Sequence, residues 1–212
     1  MEKKILLLVL NFLFLFSVSA QNNQGTSTNE DAERKNFFLG VGIKGNVFLN
    51  ENGKDFEVWK KPTFGGNVFV GKWFNQYLAA RIVLEAGKVT PYFQKMTIKE
   101  EENYFLGRVD VMFDLTNLLR PYSPDNFYNL IPYAGIGGAQ AFNVKNSVKS
   151  NAENASSFLF GGGLLNTFRL SDKFSAFLNL SLDLVNAGFD ESKSEKSLNG
   201  ISAASIGVVY NF

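Results

Sequence analysis

Ser175-Ala176-Phe177-Leu178-Asn179-Leu180-Ser181-Leu182-Asp183-Leu184 is the stretch on which the fold turns. Ala176, Leu178, Leu180, Leu182 and Leu184 alternate with Ser175, Asn179, Ser181 and Asp183. Successive side chains of a strand point to opposite faces. As a strand, the segment therefore has an uninterrupted apolar face and an opposite face with polar groups.

The same period of two recurs on both sides. Toward the end, Ala204, Ile206, Val208, Tyr210 and Phe212 alternate with Ser205, Gly207 and Asn211. Toward the start, Phe37, Leu39, Val41, Ile43, Val47 and Leu49 share one phase, with Gly40, Gly42, Lys44 and Asn46 between them. Phe64, Val68 and Val70 alternate with Thr63, Gly65, Asn67 and Gly71. Leu78, Ala80, Ile82, Leu84 and Ala86 alternate with Ala79, Arg81, Glu85 and Gly87. Val109, Val111, Phe113 and Leu115 alternate with Arg108, Asp110 and Asp114. Two Gly-rich segments, about Tyr128 to Phe142 and about Ser157 to Leu170, complete a set of eight and leave their phase open. After residue 20 no stretch has a helical period or the apolar length of a membrane helix.

Eight strands is an even number that closes a small membrane barrel. The connections support closure. Asn50 to Lys61, Lys88 to Asn103, Asn143 to Ser156 and Asn186 to Asn199 are long and polar. Phe74 to Tyr77 and Leu170 to Lys173 are tight, and a Pro-containing turn spans Leu118 to Asn126. Short turns at one rim and long loops at the other is the outer-membrane arrangement, with the long loops outside. Aromatic residues gather where two interfacial girdles belong. Phe74, Tyr77, Phe127, Tyr128, Phe168, Phe174, Tyr210 and Phe212 fall at the short-turn rim, and Phe64, Tyr92, Phe93, Tyr104, Phe105, Phe158 and Phe160 toward the other. A lipocalin-like soluble barrel also alternates, but it turns its apolar face inward. The uncharged apolar faces and the terminal aromatic stripe favour lipid contact.

The first residues read as an export address. Met1-Glu2-Lys3-Lys4 is basic, Ile5 to Phe16 is apolar but for Asn11, and Ser17-Val18-Ser19-Ala20 supplies small residues for cleavage after Ala20. No Cys follows, so a lipoprotein is not expected. Residues 21–36 (QNNQGTSTNEDAERKN) form a polar leader without periodicity. The expected organisation is a cleaved signal peptide at 1–20, a flexible leader at 21–36, and an all-β, eight-stranded antiparallel up-and-down transmembrane barrel at 37–212.

Signal peptide, eight alternating segments and the ending Ile206-Gly207-Val208-Val209-Tyr210-Asn211-Phe212 resemble the OmpA-like outer-membrane barrels. Asn67-Val68-Phe69-Val70-Gly71-Lys72-Trp73-Phe74, Ala80-Arg81, Val109-Asp110-Val111-Met112-Phe113-Asp114-Leu115-Thr116-Asn117-Leu118 and Ile131-Pro132-Tyr133-Ala134-Gly135-Ile136-Gly137 are similar to the barrel domain of Bacteroides-type OmpA proteins. The resemblance covers about Asn36 to Phe212. It implies integral residence in a Gram-negative outer membrane. It also implies recognition of the last strand (Ile206, Val208, Tyr210, Phe212) by the barrel-assembly machinery. OmpA proteins continue into a peptidoglycan-binding domain. This sequence stops at the barrel, so wall anchoring is not carried over.

Composition narrows the chemistry. The 212 residues contain neither His nor Cys, which removes Ser-His-Asp triads, cysteine nucleophiles and His- or thiolate-ligated metals. With 21 basic and 20 acidic residues, the chain lacks the basic excess of a nucleic-acid binder. Lys44, Lys72, Arg81, Glu85, Arg108, Asp110, Asp114 and Asp183 are expected inside the barrel. There they either form a plug of ion pairs or line an ion path, and a lumen this narrow favours the plug. Glu100-Glu101-Glu102 reads as a solvated run rather than a cation site. Gly161-Gly162-Gly163 lacks the following Lys of a phosphate loop and fits strand bending or close packing. The expected function is a non-enzymatic, cofactor-free and monomeric outer-membrane barrel with a structural or surface-loop binding and adhesion role. Its partners are outer-membrane lipid, the assembly machinery and an extracellular ligand. The alternative is a small porin-like channel.

Overall fold

The computed structural model describes residues 37–49, 62–89, 102–120, 123, 125–146, 149–186 and 198–212. The signal segment, the leader and most of three long connections lie outside the described residues, as do Tyr92, Phe93, Glu100 and Glu101.

Eight strands form in chain order: β1 (Phe37–Leu49), β2 (Thr63–Trp73), β3 (Leu78–Val89), β4 (Glu102–Phe113), β5 (Tyr128–Asn146), β6 (Lys149–Arg169), β7 (Phe174–Asn186) and β8 (Leu198–Asn211). Each pairs antiparallel with its sequence neighbour, and β8 pairs with β1, closing the barrel. Closure satisfies every edge, which a sheet in hydrocarbon requires because no water is there to satisfy a free backbone group. The two tight turns are where the spacing put them, between β2 and β3 and between β6 and β7.

The phase is also as expected. Leu39, Val41 and Ile43 on β1, Leu178, Leu180 and Leu182 on β7, and Ile206 and Val208 on β8 are exposed large apolar residues. Asn179, Ser181, Asp183 and Ser205, which alternate with them, are buried. This is an inside-out distribution relative to a soluble barrel, and only lipid contact makes such an exterior favourable.

Three local expectations are corrected. The connection Asn143 to Ser156 is mostly strand. β5 and β6 run on as a hairpin to Asn146 and from Lys149, with register irregularities after Ala141. The Gly-rich strands five and six are therefore the longest, with 19 and 21 residues. A five-residue helix, α1 (Leu115–Leu119), follows β4. Asp114 creates it as the N-cap, accepting a bond from the Asn117 backbone N–H at 3.1 Å. Tyr104 is buried inside the barrel rather than in the outer girdle. It shares the inward phase with Leu106 and Arg108, while Asn103 and Phe105 on either side of it face out.

Candidate functional site: the filled lumen

The interior is stacked in layers. Toward the long-loop end lies an apolar cluster of Tyr104, Leu106, Ala139, Ala141, Leu159, Val185 and Ile201. Toward the short-turn end lies a larger one that includes Phe38, Phe69, Trp73, Met112, Leu165, Phe177 and Val209. Rings fill it efficiently. Phe69 packs on Phe177 at 5.4 Å and on Phe38 at 6.2 Å, both edge-on. Below this cluster a cavity of about 430 Å³ opens at the short-turn rim, walled by Asn117, Asn129, Thr167 and Ser175 among others.

Between the two apolar layers sits a belt of six charges. Lys44 on β1 donates to Glu85 on β3. Arg81 Nε on β3 donates to Asp110 Oδ2 on β4 at 2.8 Å. Arg108, also on β4, donates to Asp110 and to Asp183 on β7. All six side chains are at most 3% exposed by residue, so any charge left unpaired there would pay a large desolvation penalty. Three cations face three anions and the belt is formally neutral. Aromatic faces add to the pairing. The Arg81 guanidinium lies 4.2 Å from the Tyr133 ring centroid and 4.9 Å from that of Phe69. Arg108 lies 5.3 Å from Tyr133, and Lys44 5.7 Å from Tyr104. Asn67 and Asn179 donate to Ser205 Oγ beside the belt, each at 3.4 Å.

Six of the eight charges assigned to the lumen therefore meet there. The other two do not join the belt. Lys72 has the opposite phase. It pairs in register with Phe37 and lies on the outer face at the short-turn rim, its ammonium 5.2 Å from the Phe37 ring centroid. Its position in β2 shows the reason, since it follows the outward Val68 and Val70 at steps of two. Asp114 is buried and inward, but it serves α1, holding Asn117 through both the backbone N–H and Nδ2 (2.9 Å).

Glycine is the component that composition alone concealed. In register across four strands run Asp110, Gly135, Gly161 and Asp183. A Cβ at Gly135 would overlap the Asp110 carboxylate, and one at Gly161 would overlap Asp183 and crowd Arg108. The two glycines form a trough in which the Arg108 guanidinium reaches both aspartates. Gly161-Gly162-Gly163 is thus a packing feature, as the lack of a following Lys suggested. Asn46 on β1 and Asn67 on β2 are also buried in the lumen.

A closed ring of eight antiparallel strands, with an apolar mid-belt outside, ion pairs buried inside and aromatic residues at the short-turn rim, defines an integral outer-membrane β-barrel. Its sequence is similar to outer membrane protein 41 of Porphyromonas gingivalis, with 27% identity over 187 residues, covering 82% of this chain and 46% of that protein. The chain thus spans about half the length of that relative. No protein-family model matches it. Among solved structures it is similar to Neisserial surface protein A, with a TM-score of 0.58, 10% identity, and coverage of 83% of this chain and 97% of that one. It is also similar to the attachment invasion locus protein of Yersinia pestis, solved with a heparin analogue, with a TM-score of 0.51, 15% identity, and coverage of 83% and 97%. At such identities the likeness is one of fold.

Proposed function

We propose that the protein is a non-conducting, non-enzymatic barrel that holds extracellular binding segments in the outer membrane. One observation carries the reading: the lumen holds two apolar layers with a formally neutral belt between them, in which each of the six charges has an opposite partner. An ion crossing it would shed its water in both apolar layers and gain no net field from the belt. The β5–β6 hairpin supports the binding half. β4 pairs with β5 only as far as Phe142, and β7 with β6 only from Leu159. Among the described residues, the hairpin beyond them pairs only within itself, at the long-loop end. The fold is one on which an attachment protein has been built. The absence of His and Cys from the chain supports a role without covalent or acid–base chemistry.

Planar-bilayer recording tests the first half. Purified protein should give no unitary conductance above the bilayer background, and discrete openings would establish the channel reading in its place. For the second half, replacing residues 143–155 by a two-residue turn should leave a folded barrel that no longer binds host-surface material. Unchanged adhesion of cells carrying that variant would remove the hairpin from the reading. The last strand, with Ile206, Val208, Tyr210 and Phe212 on its lipid face, is proposed as the assembly signal.

A further inference from the structure

We propose that the cavity at the short-turn end of the barrel is a binding pocket for a neutral sugar ring entering from the periplasm. Its volume of about 430 Å³ lies in the range of small-ligand pockets, about 300–1,000 Å³. The pocket is blind. Phe69, Ile131 and Leu165 line it and lie farther from the rim along their strands than Trp73, Asn129 and Thr167. They belong to the apolar layer above the cavity, so a ligand that enters at the rim also leaves there.

The wall has two unlike sides. On β1 and β2, Phe38 and Trp73 supply aromatic rings whose centroids are 5.9 Å apart. On β5, β6, β7 and β8, Asn129, Thr167, Ser175 and Asn211 line the cavity. Their phase places them there, because each lies two residues from a buried apolar neighbour: Ile131, Leu165, Phe177 and Val209 in turn. Asn129 and Thr167 are opposite each other in the β5–β6 register. None of these four side chains has a hydrogen-bond partner among the described residues, and the Asn129 Oδ1 is buried. A buried acceptor left without a donor is costly. On the α1 side the amides are already engaged: Asn126 Nδ2 donates to Asn117 Oδ1 at 3.0 Å.

The class of ligand follows from this combination. An aromatic wall takes the C–H face of a ring. Carboxamides and hydroxyls donate and accept together, which a ring of sugar hydroxyls requires. A wholly apolar ligand would leave the four polar side chains without partners. Charge narrows the class further. The charged residues lining the cavity are Asp125, Arg169 and Asp172, and Arg169 ion-pairs with both aspartates at the lip. One cation is thus matched by two anions, and the described wall offers no further basic group to a carboxylate or a phosphate.

The test uses the full chain with Trp59→Phe, which leaves Trp73 as the sole tryptophan, in phosphatidylcholine nanodiscs prepared without glycosidic detergent. Glucose and N-acetylglucosamine are the probes, and glucuronate is the charged control. At least one of the two sugars should shift the Trp73 emission saturably, and glucuronate should not. Asn129→Leu combined with Thr167→Val removes two hydrogen-bonding groups and should weaken that sugar about tenfold, with folding verified by heat-modifiable gel mobility. Ser175→Ala with Asn211→Ala is the milder pair, and serves if the first does not fold. Trp73 emission that ignores both sugars overturns the proposal. Saturable binding that the folded variants leave unchanged, or that glucuronate reproduces, overturns it as well.

Discussion

Arg108 on β4 and Asp183 on β7 pair across the lumen although β5 and β6 separate their strands. Arg108 also holds Asp110, so one guanidinium serves two buried carboxylates. Arg108→Met should therefore cost about 3–5 kcal/mol, the range for breaking a buried pair from one side. Asp183→Asn should cost less, because Arg108 keeps Asp110. Urea unfolding in lipid vesicles gives both values. Arg108→Met combined with Asp183→Leu should recover part of the loss, since no charge on β7 is then stranded.

The glycine trough predicts a sharp contrast between inward and outward positions. Gly161→Ala would drive a methyl group into Asp183 and Arg108, and overpacking of this kind costs about 1–3 kcal/mol. Gly138→Ala points outward, where the nearest atom to a new Cβ is 3.7 Å away, and should be neutral. Equal folded fractions for the two variants on heat-modifiability gels would contradict the trough.

Lys44 and Lys72 are both strand lysines, yet they should respond differently. Lys44→Leu strands the buried Glu85 carboxylate and should destabilise the barrel by several kcal/mol. Lys72→Leu removes an interfacial charge on the lipid side, where such charges cost about 0–1 kcal/mol, and should be neutral or slightly stabilising. The same unfolding assay separates them.

The difference between those lysines shows where the sequence was legible. Strand number, turn positions and the phase of β1, β3, β4, β7 and β8 follow from the period of two, because lipid contact demands long uncharged faces. Lys72 was misplaced because residue type outweighed phase: it is a charge in the outward row, allowed there only because that row ends at an interface. Tyr104 was misplaced for the converse reason, an aromatic near a strand end that serves the lumen. The pairing of Arg108 with Asp183 was not legible at all. It depends on register across three strand pairs, and two of those strands are Gly-rich with no phase of their own. Gly135 and Gly161 take their meaning only once Asp110 and Asp183 are known to flank them. The length of the β5–β6 hairpin escaped for a related reason: polar strands outside the bilayer have no apolar face to announce them.

The terminal strand offers a prediction that separates delivery from stability. Phe212 packs edge-on against Tyr210 at 5.0 Å, and Tyr210 against Phe174 at 5.2 Å. Phe212→Ser should sharply lower the amount of protein recovered in outer membranes, read by fractionation of expressing cells. In vitro folding of the purified variant into detergent micelles should be close to that of the parent, because the register of β8 with β1 and β7 does not involve that ring. Normal outer-membrane yield would show that the machinery reads something else.

The Phe212 backbone N–H donates to the Phe37 carbonyl at 3.0 Å. Entry and exit of the barrel are thus stitched together at one point on the short-turn rim. An even strand count makes this a matter of parity: whatever is joined before Phe37 or after Phe212 emerges in the same compartment, within a few ångströms of the other end. A reporter fused at either end would sample the periplasm alone, and a pair of reporters, one on each end, would sit close enough to report on each other only while β1 and β8 remain zipped.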